Sequence, residues 1–231
     1  MLQLGDRYEL KDFVETGTYY GSTASWAAVH FHSVITIEYS REIYEETATE
    51  LGKKRNISCI FGDSRLVLKN LVPRLNRPTV FWLDSHWSGG KTYGERDECP
   101  VIEEICAINT SQVAHFLFID DARLFTSPPP QPHRVEHWPS IEEIIGAIVS
   151  GNHNYYIVII GDVIVAVPGY AKESVASYCQ RLNTRAWEEY GRRLEESPIK
   201  QGGRLIGEGF TLVSRGLHAH LRSLVSKLAK R

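Results

Sequence analysis

Five carboxylates at the ends of five apolar segments are the residues of this chain best placed to do chemistry. Each follows a run of apolar or β-branched residues, and so falls where a predicted strand ends: Glu15, Glu38, Asp63, Asp84 and Asp120. In open α/β sheets, ligands bind in the crevice at the carboxyl ends of the strands. We therefore expect these five acids to border one crevice.

Asp84 and the pair formed by Asp120 and Asp121 suggest a metal site. Three carboxylates at adjacent strand ends repel one another unless a cation neutralises them or bulk water surrounds them. Oxygen ligands suit Mg²⁺ or a similar hard divalent cation, which keeps water molecules and an open edge for a substrate. We predict a metal site at these three acids. Zinc held through His86 is an alternative, although no Cys/His cluster supports it.

The segment 13–23 predicts a strand, a glycine turn and the start of a helix. Glu38 ends the next strand, 21 residues after Gly17, about the spacing expected for a carboxylate that binds a ribose. The glycines, Gly17 and Gly21, do not form the G-x-G-x-x-G pattern that lets a backbone approach a pyrophosphate. The turn therefore favours a cofactor with ribose and adenine but no phosphate.

Strands and helices alternate from residue 13 to about residue 125, which predicts a parallel sheet covered on both faces. Two further strands, Tyr155–Ile160 and Val163–Val167, form an antiparallel hairpin around a two-residue turn. The proline-rich segment 127–133 predicts a rigid loop beside the crevice. Helices are predicted at Ser22–His30, Arg41–Lys54, Ser64–Leu75, Cys99–Ile108 and Ser140–Val149.

The bulk composition excludes several classes of protein. The 231 residues are 42% hydrophobic and carry a net charge of −2, which suits one globular domain and does not support nucleic-acid binding. The N-terminus does not resemble a signal peptide, and no apolar run approaches the length of a membrane span. Four cysteines without a CxxC pairing are read as reduced thiols. We expect a cytoplasmic protein.

The ordered motifs resemble those of class I S-adenosylmethionine-dependent methyltransferases. They are the segment 14–21, Glu38, the segment 62–64 and the segment 82–84, followed by the terminal hairpin. The resemblance covers roughly residues 10–168 and implies a Rossmann-like, doubly wound α/β fold with a mainly parallel seven-stranded sheet. Residues 1–170 would form the methyltransferase domain, and residues 171–231 a mostly helical C-terminal extension.

The resemblance assigns S-adenosylmethionine-binding roles residue by residue. Glu15 and Gly17 would face the methionine part, Glu38 would accept hydrogen bonds from both ribose hydroxyls, and Asp63 with Ser64 would contact the adenine edge. For Asp63 the alternative is a plain helix cap. The other residues of the turn complete the predicted cofactor set: Thr16, Gly21 and Ser22.

The acidic residues resemble the metal ligands of metal-dependent O-methyltransferases of the catechol and macrocin/novobiocin types. Those enzymes carry an acid after the fourth strand and an acid pair after the fifth, as Asp84, Asp120 and Asp121 do here. The chain departs from them by having His86 where the sugar type often has an aspartate. His86 is the predicted general base, with orientation of Asp84 as the alternative.

The predicted reaction is metal-assisted O-methylation of a small hydroxylated acceptor, such as a sugar or a polyphenol. The charged segment 87–100 predicts either a wall of the acceptor pocket or an ordinary solvated loop. The C-terminal residues, 212–231, predict a packing or homo-oligomer helix rather than a membrane-surface helix. Two rival functions stay open, namely an NAD(P)-dependent oxidoreductase and a non-catalytic module that binds a cofactor.

Overall fold

The computed structural model of the protein describes residues 1–90, 92, 94, 97–195, 202–203, 205–207 and 209–211. The chain divides into two compact units, Met1–Ala176 and Ser177–Arg231. The first unit contains the predicted methyltransferase domain. The predicted helix at 212–231 lies outside the described residues. Across the part of the chain that the structure describes, every helix is too short or too polar to cross a membrane.

Seven strands and eight helices carry the fold of the described residues. The strands are β1 (Asp12–Thr16), β2 (Ser33–Glu38), β3 (Ile57–Phe61), β4 (Thr79–Leu83), β5 (Phe116–Ile119), β6 (Tyr155–Ile160) and β7 (Val163–Pro168). The helices are α1 (Leu2–Arg7), α2 (Ser22–His30), α3 (Arg41–Leu51), α4 (Ser64–Leu71), α5 (Val101–Ile108), α6 (Arg123–Thr126), α7 (Ile141–Val149) and α8 (Lys172–Glu195).

The strands form one seven-stranded sheet in the order β3-β2-β1-β4-β5-β7-β6. The first five strands are parallel, while β7 runs antiparallel to both β5 and β6. This arrangement confirms the predicted mainly parallel sheet with a terminal antiparallel hairpin. It differs from the dinucleotide-binding order 3-2-1-4-5-6, in which no hairpin is inserted beside the fifth strand.

Alternate residues of β1 face different layers, because successive side chains of a strand point to opposite faces of the sheet. Val14 joins the main buried cluster, which includes residues of α4, α5 and α7. Phe13 faces the other side and packs against Phe31, just after α2. The strands are nearly continuous apolar runs since both faces of the sheet are covered.

The observed helix starts agree with the predicted ones better than the observed helix ends do. Ser140 and Glu143 form the predicted capping box at the start of α7. Pro100 stands at the cap position of α5, so this helix begins at Val101, two residues beyond the predicted start at Cys99. Helix α4 ends at Leu71 and continues only as a short 3₁₀ turn, Val72–Arg74, because Pro73 cannot donate a backbone hydrogen bond.

The second unit is described only in part. It begins within α8 and exposes large apolar side chains of that helix: Trp187, Tyr190 and Leu194. An apolar stripe on a helix is typical of a packing surface. The expected role of this tail in oligomer formation stays a prediction.

Candidate cofactor pocket and acidic cluster

A cleft of about 300 Å³ opens at the carboxyl ends of the parallel strands. Its walls come from Glu38, the last residue of β2, and from residues that follow β1, β2, β4 and β5: Gly17, Tyr19, Tyr39, Asp84, Ser85, His86, Ser88, Thr92, Asp120 and Asp121. Backbone hydrogen bonds hold these strand ends together. The Asp84 N–H donates to the Thr16 carbonyl over 3.1 Å, and the Asp120 N–H donates to the Leu83 carbonyl over 3.0 Å.

Glu38 lies in the wall of the cleft with only 4% of its surface exposed. One carboxylate oxygen accepts the Tyr19 N–H over 2.9 Å, and the other accepts the Ser40 N–H over 2.8 Å. Burial raises the pKa of Glu38, although these hydrogen bonds oppose the rise. A hydrogen bond from the Tyr39 N–H also opposes the rise. A carboxylate has about four acceptor sites, so with three N–H donors Glu38 can still accept a hydrogen bond from a ligand hydroxyl, such as that of a ribose.

Glu15 lies outside the lining of the cleft, buried at the carboxyl end of β1. Its carboxyl group accepts a short hydrogen bond from the Thr36 hydroxyl. Burial raises the pKa of Glu15 to about 8, so this group is mostly protonated at neutral pH. The predicted contact of Glu15 with the methionine part of the cofactor stays a prediction. In the structure, the side chain of Glu15 joins β1 to Thr36 of the neighbouring strand β2.

Gly17 lines the cleft, and the structure explains why this position is a glycine. Its φ of +83° lies in the left-handed region that side chains rarely adopt, and a Cβ would lie 2.3 Å from the Asp84 carbonyl oxygen. The turn after β1 thus touches the backbone after β4. Gly21, with φ of +73°, packs instead against the side chain of Leu51.

The remaining predicted cofactor residues lie outside the cleft lining. Asp63 caps α4, where Oδ1 accepts the Arg65 N–H over 2.9 Å and Oδ2 pairs with the Arg65 guanidinium over 2.7 Å. Burial would raise the pKa of Asp63, but the hydrogen bonds from Arg65 outweigh burial and lower it. The helix-cap alternative is thus observed, and a contact with adenine stays a prediction. Ser22 is exposed at the start of α2.

Two of these residues belong to a buried layer beneath the cleft. The hydroxyls of Thr16 and Ser64 both lie against the carboxyl group of Glu104, a fully buried residue of α5. Thr16 Oγ1 donates to Glu104 over 3.3 Å and accepts the Asp84 N–H over 3.3 Å. Burial raises the pKa of Glu104 to about 8. Sequence reasoning missed Glu104, because helical acids are usually exposed.

Asp84, His86 and Asp121 form a compact cluster at one end of the cleft. His86 Nε2 lies 2.8 Å from Asp121 Oδ2 and 3.4 Å from Asp84 Oδ1. One potential ligand atom from each residue lies within 4.8 Å of the other two. The cluster differs from the predicted ligand set of Asp84, Asp120 and Asp121, because it contains His86 in place of Asp120.

Asp120 lines the cleft beside the cluster. Its Oδ1 accepts the Asp121 N–H over 2.9 Å, which turns that oxygen toward its own backbone. Burial raises the pKa of Asp120, and the charges of Asp84 and Asp121 raise it further. The metal-ligand role predicted for Asp120 stays a prediction.

His86 carries the opposite charge from its two neighbours. Burial alone would lower the pKa of His86, but the hydrogen bonds to Asp121 and Asp84 raise it to about 10. An imidazolium between two carboxylates neutralises part of their charge. A general base and a metal ligand both need an unprotonated imidazole, so this pKa does not separate the two roles, and the predicted base role stays a prediction.

The donor set fits a small divalent cation. In an octahedral site with ligands at 2.0–2.1 Å, adjacent ligand atoms lie about 3 Å apart. The separations of 2.8 Å and 3.4 Å that His86 Nε2 makes with the two carboxylate oxygens lie on either side of this value. Two carboxylates and one imidazole suit Mn²⁺, Fe²⁺ or Zn²⁺ as well as Mg²⁺.

The proline-rich loop is fastened to the cleft by Glu98, whose carboxylate is buried. That carboxylate accepts hydrogen bonds from Trp138 Nε1 over 2.6 Å, His133 Nδ1 over 2.9 Å and the Arg134 N–H over 2.9 Å. The ring of Trp138 in turn lies 5.3 Å from that of His86. Glu98 is therefore an internal anchor, and the solvated-loop reading is wrong at this position.

Comparisons with known proteins support the fold and leave the activity open. No family model and no curated protein matches the chain. Among solved structures it is similar to the S-adenosylhomocysteine-bound methyltransferase PaMTH1 of Podospora anserina, with 15% identity, a TM-score of 0.52, and coverage of 72% of this chain and 75% of that one.

Two further structures give the same result. A Klebsiella pneumoniae protein described as an O-methyltransferase aligns with 14% identity and a TM-score of 0.50, over 72% of this chain and 76% of the other. A Staphylococcus aureus protein described as a caffeoyl-CoA O-methyltransferase aligns with 13% identity and a TM-score of 0.51, over 73% and 80%. The first unit therefore has the fold of class I S-adenosylmethionine-dependent methyltransferases.

Proposed function

We propose that this protein is an S-adenosylmethionine-dependent methyltransferase that methylates an oxygen of a small hydroxylated acceptor with the help of a divalent cation. One observation carries the proposal. A single cleft is lined both by Glu38, which suits a ribose, and by the cluster of Asp84, His86 and Asp121, which suits a cation. A ribose site and a cation site side by side are what metal-assisted methyl transfer requires.

At the ribose side of the cleft, the residues would bind and orient the cofactor. S-adenosylmethionine, when bound, supplies an electrophilic methyl group on a sulfonium. Glu38 would accept hydrogen bonds from the ribose hydroxyls, and its own orientation is already set by the N–H groups of Tyr19 and Ser40. Because this geometry exists before any ligand arrives, little ordering is needed on binding.

At the acidic side, Asp84 and Asp121 would hold the divalent cation. The cation, when bound, lowers the pKa of a hydroxyl that it contacts. For His86 we favour a third-ligand role over the predicted base role, because its Nε2 lies beside both carboxylates. The contribution of these residues to the rate is mainly the positioning of the acceptor oxygen.

Calorimetry with S-adenosylhomocysteine tests the cofactor half. We expect saturable binding, with NADH as the matched negative control. Absence of binding at millimolar S-adenosylhomocysteine would overturn the proposal, and tight binding of NADH would favour the oxidoreductase alternative. The activity itself is tested by transfer of labelled methyl groups from S-adenosylmethionine to a panel of sugars and catechols, with and without EDTA.

The variant His86→Gln separates the two roles of the imidazole. A ligand role predicts that Mn²⁺ affinity falls, whereas a base role predicts unchanged Mn²⁺ affinity and a lower kcat. His32→Gln is the control, since His32 is an exposed histidine outside the cleft. A non-catalytic module would be favoured by a blocked crevice or by a His86 directed away from it, whereas His86 lines an open cleft here.

A further inference from the structure

The turn of the terminal hairpin contacts the loop that carries Asp121. The Asp162 carbonyl oxygen accepts the Ala122 N–H over 2.8 Å, and Asp162 Oδ1 accepts the Arg123 N–H over 2.8 Å. Asp162 Oδ2 forms a short ion pair with the Arg123 guanidinium. One residue of the turn between β6 and β7 therefore holds both the backbone and the side chain of the segment directly after Asp121.

Arg123 also contacts the carboxylate of Asp121, and so connects Asp162 to it. Its Nη1 lies 2.7 Å from Asp121 Oδ1, while Oδ2 of the same carboxylate lies 2.8 Å from His86 Nε2. With Oδ1 turned toward Arg123, the other oxygen is directed into the cluster with Asp84. One guanidinium thus links the side chain of Asp162 to the carboxylate of Asp121, whose other oxygen contacts His86.

The backbone of Asp121 needs such support. Its φ of +57° lies in the left-handed region, which is unfavourable for a residue with a side chain. The side chains of Arg123 and Asp162 are 61% and 39% exposed, and an ion pair of that exposure contributes little stability by itself. The expected contribution of Asp162 is therefore geometric and concerns a local orientation more than the stability of the fold.

We propose that Asp162 is a positioning residue for the cation site, acting through Arg123 on the orientation of Asp121. This inference rests on the proposed function, because it assumes that Asp121 binds a divalent cation. Partners in the outer shell of a metal ligand fix its orientation, and their loss costs about 10- to 100-fold in metal affinity. The hairpin that distinguishes this sheet from the dinucleotide-binding sheet would thereby tune its cation site.

The test measures Mn²⁺ affinity of the full-length protein by electron paramagnetic resonance, with Asp162→Asn and Arg123→Gln singly and together. Asp162→Asn keeps one side-chain oxygen for the Arg123 N–H but removes the charge that orients the guanidinium. We expect each single variant to bind Mn²⁺ about 10-fold more weakly, with a changed spectrum of the bound ion. The double variant should be no worse than the single variants, because both changes break one chain of contacts.

Two controls keep the outcomes distinct. Asp12→Asn removes a comparable ion pair with Arg77 at the start of β1, and it should leave Mn²⁺ affinity unchanged. Affinity for S-adenosylhomocysteine and the thermal midpoint should match wild type in every variant. Wild-type Mn²⁺ affinity in Asp162→Asn, or additive losses in the double variant, would overturn the inference alone. A wild-type protein that binds S-adenosylhomocysteine but no Mn²⁺ would overturn the inference and the cation part of the proposed function.

Discussion

The two ends of the cleft hold their carboxylates by different means. At the ribose end, both oxygens of Glu38 accept hydrogen bonds from backbone N–H groups. At the acidic end, Asp121 is held by two side-chain cations, His86 and Arg123. Backbone donors are fixed by the chain segments that carry them, whereas a protonated imidazole can release its proton when a metal ion binds. The first end is therefore suited to a neutral polyhydroxyl group and the second to a metal ion.

The same difference extends to two buried carboxyl groups, Glu15 of β1 and Glu104 of α5. Among the described residues no salt bridge joins either group to a cationic side chain, and burial raises the pKa of each to about 8. Asp121 lies near two cations, and its hydrogen bond from His86 lowers its pKa. Glu15 and Glu104 are thus mostly neutral at neutral pH, while Asp121 is ionised where the loops supply positive charge.

The largest expected effect is at the ribose end. Glu38→Ala removes two acceptor oxygens that the ligand needs, and it leaves the N–H groups of Tyr19 and Ser40 without their partner. We expect S-adenosylhomocysteine to bind about 100- to 1,000-fold more weakly, since a hydrogen bond to a charged group is worth about 1.5–3 kcal/mol. Calorimetry measures the loss, with the exposed Glu50→Ala as control. Unchanged affinity would remove Glu38 from the cofactor site.

The variant Gly17→Ala tests the close contact between Gly17, after β1, and the backbone of Asp84, after β4. The new Cβ would meet the Asp84 carbonyl, and the left-handed backbone adds strain, so we expect the free energy of unfolding to fall by about 3 kcal/mol. Gly89→Ala is the matched control, because Gly89 also has a left-handed φ, of +98°, but a Cβ there meets nothing within 4 Å. Equal losses of stability in denaturant titrations would show that the clash is unimportant.

The acidic end should be separable from the ribose end. Asp121→Asn keeps the shape of the side chain but removes its charge, so we expect Mn²⁺ affinity to fall about 30-fold with S-adenosylhomocysteine affinity unchanged. Parallel calorimetric titrations with both ligands measure this. If the variant loses affinity for both ligands alike, the two ends act as one site and the contrast between them fails.

The smallest expected effect concerns pH and the neutral carboxyl of Glu104. Its pKa is about 8 when folded against 4.5 for the ordinary group, so the folded state holds a proton that the unfolded state releases between these pH values. The stability that depends on a neutral Glu104 is fully present below pH 4.5 and is lost as the pH rises toward 8. Glu104→Gln should therefore raise the free energy of unfolding at pH 8 and leave it nearly unchanged at pH 5.

Urea titrations of wild type and Glu104→Gln at the two pH values measure this difference. Thr16 provides the control, because Thr16→Val removes a hydrogen bond to Glu104 without removing the titrating group. That variant should lose stability and keep a pH dependence of the same sign as wild type, somewhat steeper because the hydrogen bond from Thr16 lowers the pKa of Glu104. An equal pH dependence in wild type and Glu104→Gln would mean that Glu104 is ionised in the folded protein.

The positions of the strand-end acids could be predicted, but their partners could not. The apolar runs predicted where Glu38 and Asp84 stand, because strand period and strand ends are local properties of the chain. The hydrogen bond of His86 to Asp121 joins residues 35 positions apart, and that of Arg123 to Asp162 joins residues 39 apart. No local pattern predicts such pairs, since they depend on how two loops approach each other.

The sequence by itself determined the α/β class, the parallel sheet, the terminal hairpin and the side of the sheet on which the acids gather. These features follow from apolar periodicity, turn residues and the rule that parallel strands end at the same edge. Only the tertiary structure decided that Glu15 is buried and mostly protonated and that His86 contacts Asp121. Those outcomes depend on burial and on charges brought together from distant segments, and neither quantity exists before the chain is folded.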